Sequence, residues 1–228
     1  MAYNVFGNPI TNSTLEGMPE YMDKPITRMD RARVALNMKN AAEKDVNARQ
    51  YVENLKARWG TGVSTLCLLY NATGDTVTLV TSHDWHGHIG PAPYPTAIAN
   101  GQWGGFLHVK TSGTATGSSA CVVYRGKNGV GDGCDWMLAW SNPWDRNLYD
   151  NMAYTEIREA GHFNNTVWGI VSGKLYSSGL THTDKWKGCL STVATGSYTS
   201  PIFEGILTLE NDATLENNVI VVGTCVLL

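Results

Sequence analysis

Charge is scarce in this 228-residue chain: Asp, Glu, Lys and Arg make up 16%, and the net charge is −3. A nucleic-acid partner wants a clear basic excess to meet phosphate, so that class of function is set aside. Long apolar runs are missing too, and no window approaches the roughly 18 apolar residues of a transmembrane helix. The opening Met1-Ala2-Tyr3-Asn4-Val5-Phe6-Gly7 has neither a basic start nor an apolar stretch. No secretory signal is read there, and a cytoplasmic protein is expected. Cysteines are odd in number and widely spaced: Cys67, Cys121, Cys134, Cys189 and Cys225. Four of them sit in strand-like runs, which suits buried free thiols in a reducing compartment better than a disulfide framework. No G-x-S-x-G or H-E-x-x-H pattern appears. The glycine-rich run Gly126-Lys127-Asn128-Gly129-Val130-Gly131-Asp132-Gly133 leads into a strand instead of a helix, so it reads as a hairpin turn and not a nucleotide loop. Neither catalysis nor a cofactor is expected.

The hydrophobic share, 43%, belongs to a globular protein, and it is distributed in two patterns. Residues 1–26 carry Gly7, Pro9, Gly17, Pro19 and Pro25 and read as an extended arm. Thr27 with Asp30 three positions on forms a capping box, and Val34, Met38, Ala41, Ala48, Val52, Leu55 and Trp59 follow on a helical stripe that Asp45 interrupts. One long helix, or two hinged near Asn47, is predicted, ending at Gly60 and Gly62. This stretch is basic: residues 28–58 hold eight Lys or Arg against four Asp or Glu, leaving the rest of the chain at −7. Docking of the basic helix on an acidic body accounts for both the stripe and the charge split; lying on a membrane is the other use for such a helix.

After Gly62 the period changes. Val63–Tyr70 and Asp75–Val80 flank Ala72-Thr73-Gly74 and read as a hairpin. Further strands are predicted at Trp103–Val109, Ser119–Arg125, Trp136–Trp140, Met152–Ile157, Gly188–Val193, Ile202–Leu209 and Val219–Val226, with a helical stretch at Val167–Tyr176. Short strands punctuated by Gly and Pro indicate a sandwich or barrel. The domain reading is an arm and amphipathic helix over 1–61 and a β-sandwich over 62–228.

Two stretches carry candidate chemistry. In Trp140-Ser141-Asn142-Pro143-Trp144-Asp145-Arg146-Asn147-Leu148-Tyr149-Asp150-Asn151, two aromatics stand in a polar turn where folding alone has no need of them. Aromatic faces on a loop held by proline attract a quaternary ammonium or stack on a sugar ring, so Trp144 and Tyr149 are candidate ligand-binding residues. In Ser82-His83-Asp84-Trp85-His86-Gly87-His88, an extended backbone would put Asp84, His86 and His88 on one side, as a metal site needs. Gly87 and the unfamiliar spacing favour instead a polar loop beside the pocket in which His86 offers a hydrogen bond, so no metal is expected.

The loop also resembles a known signature. Ser141, Pro143, the aromatic Trp144, Asp145, Asn147, Tyr149 and Asn151 match the S-x-P-aromatic-D-x-N-x-Y-x-N pattern of the actinoporins. Asn71-Ala72-Thr73-Gly74-Asp75-Thr76 and Ala115-Thr116-Gly117 with Val122-Val123-Tyr124 are similar to two upstream segments of that family, in order from about Thr65 to Ile157. The chain as a whole is similar to the plant family named after a jasmonate-induced protein of twenty-three kilodaltons. That likeness lies in Val5-Phe6-Gly7-Asn8-Pro9-Ile10, Tyr70–Asp75, Ala92-Pro93-Tyr94-Pro95, Asn100-Gly101-Gln102-Trp103, Val123–Asn128 and Leu138-Ala139-Trp140-Ser141.

These resemblances imply a mainly β fold: an antiparallel β-sandwich of the actinoporin or fungal fruit-body lectin type, with an N-terminal helical extension and one internal helix. They imply a headgroup pocket with Ser141, Pro143 and Tyr149 in its lining. His86 stands where actinoporins have a pocket serine and Ser119 where they have a valine; Leu148 and Met152 replace tryptophans that dip into lipid, and Trp168 and Tyr176 are loose counterparts of pocket tyrosines. The function expected is non-catalytic, lectin-like recognition of a small glycan or lipid headgroup, with possible peripheral membrane contact, in a plant stress or defence setting. A membrane-active cytolysin is the alternative, and an enzyme with a cryptic Cys/His site a more distant one.

Overall fold

The computed structural model describes residues 4–210; the expected strand Val219–Val226 and Cys225 lie outside the described residues. The chain runs β1 (Val5–Phe6), α1 (Asn12–Glu16), α2 (Arg28–Asn37), α3 (Lys44–Trp59), β2 (Ser64–Ala72), β3 (Val77–His86), β4 (His88–Ile89), β5 (Ala97–Ile98) and β6 (Trp103–Val109). It continues with β7 (Ser118–Lys127), β8 (Gly133–Asn142), β9 (Met152–Glu159), α4 (Trp168–Tyr176), β10 (Thr181–Trp186), β11 (Cys189–Thr195) and β12 (Ile202–Leu209). Two sheets face each other. The first orders its strands β1-β6-β2-β12-β11-β10, with β4 also on β6; the second is β5-β3-β7-β8-β9. The sandwich is as the sequence implied, and its pairings are antiparallel except that β12 runs parallel to β2.

Period-two burial explains which residue faces where. Cys67 and Leu69 of β2, Ala120, Val122 and Tyr124 of β7, and Trp136, Leu138 and Trp140 of β8 fill the space between the sheets. Their neighbours face outward into two further apolar layers. On the first sheet, Leu66, Leu68 and Tyr70 meet Ala48, Val52 and Leu55 of α3 and Val34 and Ala35 of α2. On the second, Cys121, Val123, Met137 and Ala139 meet Val171 and Leu175 of α4. Strands buried on both faces read as unbroken apolar runs, which is why the sequence signal for β8 was continuous instead of alternating.

The N-terminal helices depart from expectation in one place. Thr27 does cap α2: its hydroxyl accepts from Asp30 N at 3.2 Å and Asp30 Oδ2 accepts from Thr27 N at 3.0 Å. The break, however, is a 3-10 turn at Ala41–Glu43, earlier than Asn47, with Ala42 and Glu43 at φ of 54° and 55°. Asp45 does not interrupt a helix; it begins one, in the first turn of α3 where a carboxylate suits the helix dipole. The turn drives Lys44 inward, where its ammonium donates to Tyr70 Oη at 3.0 Å and the Gly101 carbonyl at 2.9 Å. Burial lowers the Lys44 pKa. The arm of residues 1–26 is only partly extended, since it adds β1 to the edge of β6 and contains α1.

The expected hairpin around Gly74 is not one. β2 and β3 belong to different sheets, and the turn carries the chain across the sandwich. Asn71 builds it: its Oδ1 accepts from Thr73 N at 2.9 Å, and its amide donates to the carbonyls of Asp75 and Ile98. Gly74 sits at φ +83°, and a Cβ there would stand 2.3 Å from the Arg28 carbonyl, so the α2 start is pressed against this crossing. The Gly126–Gly133 run does form the β7–β8 hairpin turn. Sequence reading missed β10, whose residues lie half-exposed beside β9: the Thr155 amide donates to His182 Nδ1 at 3.4 Å and the Ile157 amide to Asp184 Oδ2 at 2.7 Å. Those side chains shield an otherwise open sheet edge.

Candidate functional site

The stretch read as a polar loop around His86 is the end of β3, and this places the site. Register aligns His86 with Ser119, Ser119 with Ser141, and Ser141 with Met152, one row across β3, β7, β8 and β9. The row is on the outer face of the second sheet, beyond the part that α4 covers. It forms the floor of a cavity of about 620 Å³. Walls are supplied by Ala115-Thr116-Gly117 on one side, by Asn142-Pro143-Trp144-Asp145 and Leu148-Tyr149-Asp150 on another, and by Tyr176 at the end of α4. His86, Ser119, Ser141, Pro143, Trp144 and Tyr149, the six candidates from the sequence, all line this one cavity.

The loop over the floor is fixed by its own polar residues. Asp145 Oδ1 accepts from the Asn147 amide at 3.0 Å, and the Asp145 carbonyl accepts from Tyr149 N at 3.2 Å. Asn142 donates to the carbonyls of Ser64 and Thr199, Asn151 to those of Gly196 and Tyr198, and the Arg146 guanidinium to that of Ser197. The two asparagines thus tether both ends of the loop to the β11–β12 turn. A Cβ on Gly117 would lie 2.0 Å from the Asn142 carbonyl, so only glycine lets the opposing segment pass. With the backbone held, the aromatics have no core to enter: Trp144 is 52% exposed, Leu148 71%, Tyr149 64% and Tyr176 47%. Tyr198, in the tethered turn, is also exposed.

The floor is polar and unoccupied by protein partners. Ser119 is buried, and its Oγ has no hydrogen-bond partner among the described residues. Asp145 and Asp150 line the cavity while neither Lys nor Arg does among the described residues. The sequence reading named neither carboxylate as a site residue, although Asp145 stood inside the loop signature. Leu148 and Met152, noted only as departures from the actinoporin pattern, also line it. Of the two helix aromatics, Tyr176 reaches the cavity, whereas Trp168, the first residue of α4, stacks on His83 at 4.9 Å and 7° and packs against the second sheet's outer apolar layer.

Asp84, His86 and His88 do not converge. An irregularity in register between Asp84 and His86, then Gly87 at φ +91°, breaks the alternation that would have put them on one side. Asp84 turns to the other face and takes a 3.2 Å hydrogen bond from His108 Nε2, while His88 joins the other sheet through β4. Among the described residues no three His, Cys, Asp or Glu side chains are grouped to hold a metal.

Asp84, His108 and Ser118 have the residue types of a hydrolase relay, but not its exposure. His108 Nδ1 lies 2.9 Å from Ser118 Oγ, which also shares a 2.8 Å hydrogen bond with Thr65 Oγ1. Ser118 and His108 are fully buried between the sheets, one residue behind the cavity floor, where no substrate reaches. Burial pushes the His108 pKa down, the Asp84 carboxylate only partly opposing it. The cysteines are no better placed for chemistry. Cys67, Cys121, Cys134 and Cys189 are free and buried, and burial drives the Cys67 and Cys121 thiols well above their ordinary range. A protonated buried thiol is a poor nucleophile.

Known proteins are similar to this chain in sequence and in fold. The family model described as Nakanori-like protein matches residues 6–210. The 23 kDa jasmonate-induced protein of Hordeum vulgare is 46% identical over 209 residues, covering 90% of this chain and 98% of the relative. A jasmonate-induced protein homolog of Atriplex canescens is 29% identical over 113 residues, 49% of this chain and 60% of the relative. The crystal structure of the lipid-binding protein Nakanori superposes with a TM-score of 0.82 at 32% identity, covering 90% of this chain and 99% of that one.

Proposed function

The chain belongs to the Nakanori-like family, and on that premise we propose that it binds a membrane lipid at the cavity floored by His86, Ser119 and Ser141, without catalysing a reaction. The observation that carries this reading is the rim. Trp144 and Tyr149, with exposed Leu148 between them, surround a polar cavity. Tyr and Trp prefer the bilayer interface, where one end of the ring is apolar and the other wet. Leu148 adds an aliphatic group that a sugar ring has no use for but an acyl boundary does. The solved relative described as lipid-binding supports the same choice over a glycan.

Charge narrows the headgroup. Asp145 and Asp150 favour a cationic end and repel a net anion, while aromatic faces attract an ammonium through the ring quadrupole. A zwitterionic phosphate-ammonium headgroup fits this cavity. Binding is peripheral on this reading, and among the described residues no helix is long and apolar enough to cross a membrane. A cytoplasmic location is supported by four buried free thiols, and a jasmonate-linked stress or defence setting by the plant relatives. Co-sedimentation with vesicles of phosphatidylcholine, sphingomyelin and cholesterol, run beside phosphatidylglycerol vesicles and a glycan array, tests the reading. Capture by the zwitterionic vesicles is expected. A glycan signal with no vesicle binding would overturn it in favour of a lectin.

A further inference from the structure

Five of the six histidines in this chain have an engagement within the fold. His108 bonds Asp84 and Ser118, His162 Nδ1 lies 3.0 Å from Glu159, and His182 accepts from the Thr155 amide. His88 Nδ1 lies 2.8 Å from the Ile89 carbonyl, and His83 is stacked on Trp168. His86 has no hydrogen-bond partner among the described residues, is exposed, and lines the cavity next to Ser119. Ser119 Oγ is itself buried and unpartnered. A row of an imidazole and two hydroxyls is a set of hydrogen-bond donors awaiting an acceptor, and His86 is the one group in that row able to gain positive charge near neutrality.

Resting on the lipid reading above, we propose that His86 meets the phosphate of the headgroup, so that capture tightens as its imidazole becomes protonated. The cavity is then bipolar. The floor at His86 and Ser119 takes the anionic part, while Asp145, Asp150 and the ring faces take the ammonium. Every titratable or charged group facing the cavity has a place in this account: Asp145, Asp150 and Tyr149 from the loop, Tyr176 from α4 and His86 from β3. Asp84, two residues from His86, is directed to the opposite face by His108. The phosphate attracts the protonated imidazole only in the complex. That difference is the pH dependence. A tenfold rise in the proton affinity of His86 on binding is worth up to about tenfold in ligand affinity, of which about fivefold is read between pH 7.5 and 5.5.

Isothermal titration of the full chain with glycerophosphocholine tests this, because its phosphodiester stays singly charged throughout that range. Choline, which lacks the phosphate, is the second probe. Expected are glycerophosphocholine binding about fivefold tighter at pH 5.5 than at 7.5, choline binding that does not tighten, and a flat glycerophosphocholine profile in His86→Asn. His86→Lys, a fixed cation, is expected to hold tight binding at both pH values. Circular dichroism at each pH confirms that the variants are folded, which an exposed position favours. Equal slopes in wild type and His86→Asn, or a flat wild-type profile, overturn the assignment to His86 while leaving the lipid reading standing. Absence of glycerophosphocholine and vesicle binding at both pH values overturns the two together.

Discussion

The outer faces of the two sheets are built from the same kind of strand but closed by helices of different length. On the first sheet, α2 and α3 supply 26 residues, and every residue of β2 beneath them is buried. On the second, α4 supplies nine, and β3 alternates between half-buried and exposed along most of its length. The shorter helix stops at Tyr176, and the row His86, Ser119, Ser141, Met152 is what it leaves uncovered. The site is therefore a consequence of incomplete helical cover. The loop that replaces the missing cover is fastened by asparagines and not by apolar packing, which leaves its aromatics free for a ligand.

The largest expected effect comes from damaging the closed face. Leu55 is almost fully buried between α3 and the first sheet. Leu55→Ala removes that packing and leaves a cavity, a loss of about 2–4 kcal/mol. Urea unfolding should show the lower midpoint, while vesicle binding by the folded fraction stays as it was. The reciprocal experiment is Tyr149→Ala on the open face. An aromatic that the ligand buries on binding carries about 2 kcal/mol or more, so vesicle affinity should fall by more than tenfold. Because the ring is 64% exposed, the melting temperature should barely move. Unfolding of that variant would mean the ring is structural and the contrast between the faces false.

How much of this was legible in the sequence follows from the reach of each signal. Trp136–Trp140 is an unbroken apolar run and Trp103–Val109 is interrupted only by two glycines and His108, and their strands were read because burial on both faces leaves no ambiguity. The Gly74 turn was read as a hairpin because Ala72-Thr73-Gly74 looks the same whether the flanking strands pair or part. What decides is Arg28 and Asn100 packed against it, from distant parts of the chain. β10 was missed since Thr181–Trp186 is short and polar at every position but Trp186, so no apolar alternation marks it. The helix break at Ala42–Glu43 has no Gly or Pro to announce it, and the inward reach of Lys44 is a tertiary fact. Of the site, the loop aromatics were visible as aromatics out of place, and His86 and Ser119 only as departures from a resembled pattern. Their alignment in one row is a matter of register. Asp145 and Asp150 were invisible as cavity residues, because carboxylates in a turn have an ordinary solvent role.

The polar chain behind the floor sharpens the comparison in a different way. His108 is fully buried, and burial holds its pKa below the ordinary histidine value of about 6.5. Below that value the unfolded chain takes up a proton that the folded one resists. Stability from this group is therefore complete above about pH 6.5 and is lost as pH falls toward the folded-state pKa. His83 is shifted the same way by burial, and Glu204, raised by burial under α2 and α3, works in the opposite sense. Comparing wild type with His108→Asn isolates the first contribution. The wild-type melting temperature should drop more steeply between pH 7 and 5, reflecting a loss on the order of 1 kcal/mol. Parallel pH profiles would show that the imidazole takes up its proton as readily in the folded state as in the unfolded one.

The smallest expected effect is none at all: this protein should bind vesicles without opening them. Pore formation requires an apolar helix to leave the body and enter the bilayer. Here the apolar residues of the closed face, Val34, Ala35, Ala48, Val52 and Leu55, are already engaged with Leu66, Leu68 and Tyr70. What the helices would carry outward is charge, including Asp45 in the first turn of α3 and Lys56 and Arg58 in its last. Lys44, held by Tyr70 and the Gly101 carbonyl, would lose both partners. Leaving the sheet exposes that apolar area to water at about 25 cal/mol per Å², and insertion offers a thin, interrupted stripe in return. Vesicles of sphingomyelin, phosphatidylcholine and cholesterol loaded with a self-quenched dye should stay intact at micromolar protein even when co-sedimentation shows them coated. Dye release that a disulfide engineered between α3 and the first sheet abolishes would show that the closed face does open, and with it that the two faces differ in degree and not in kind.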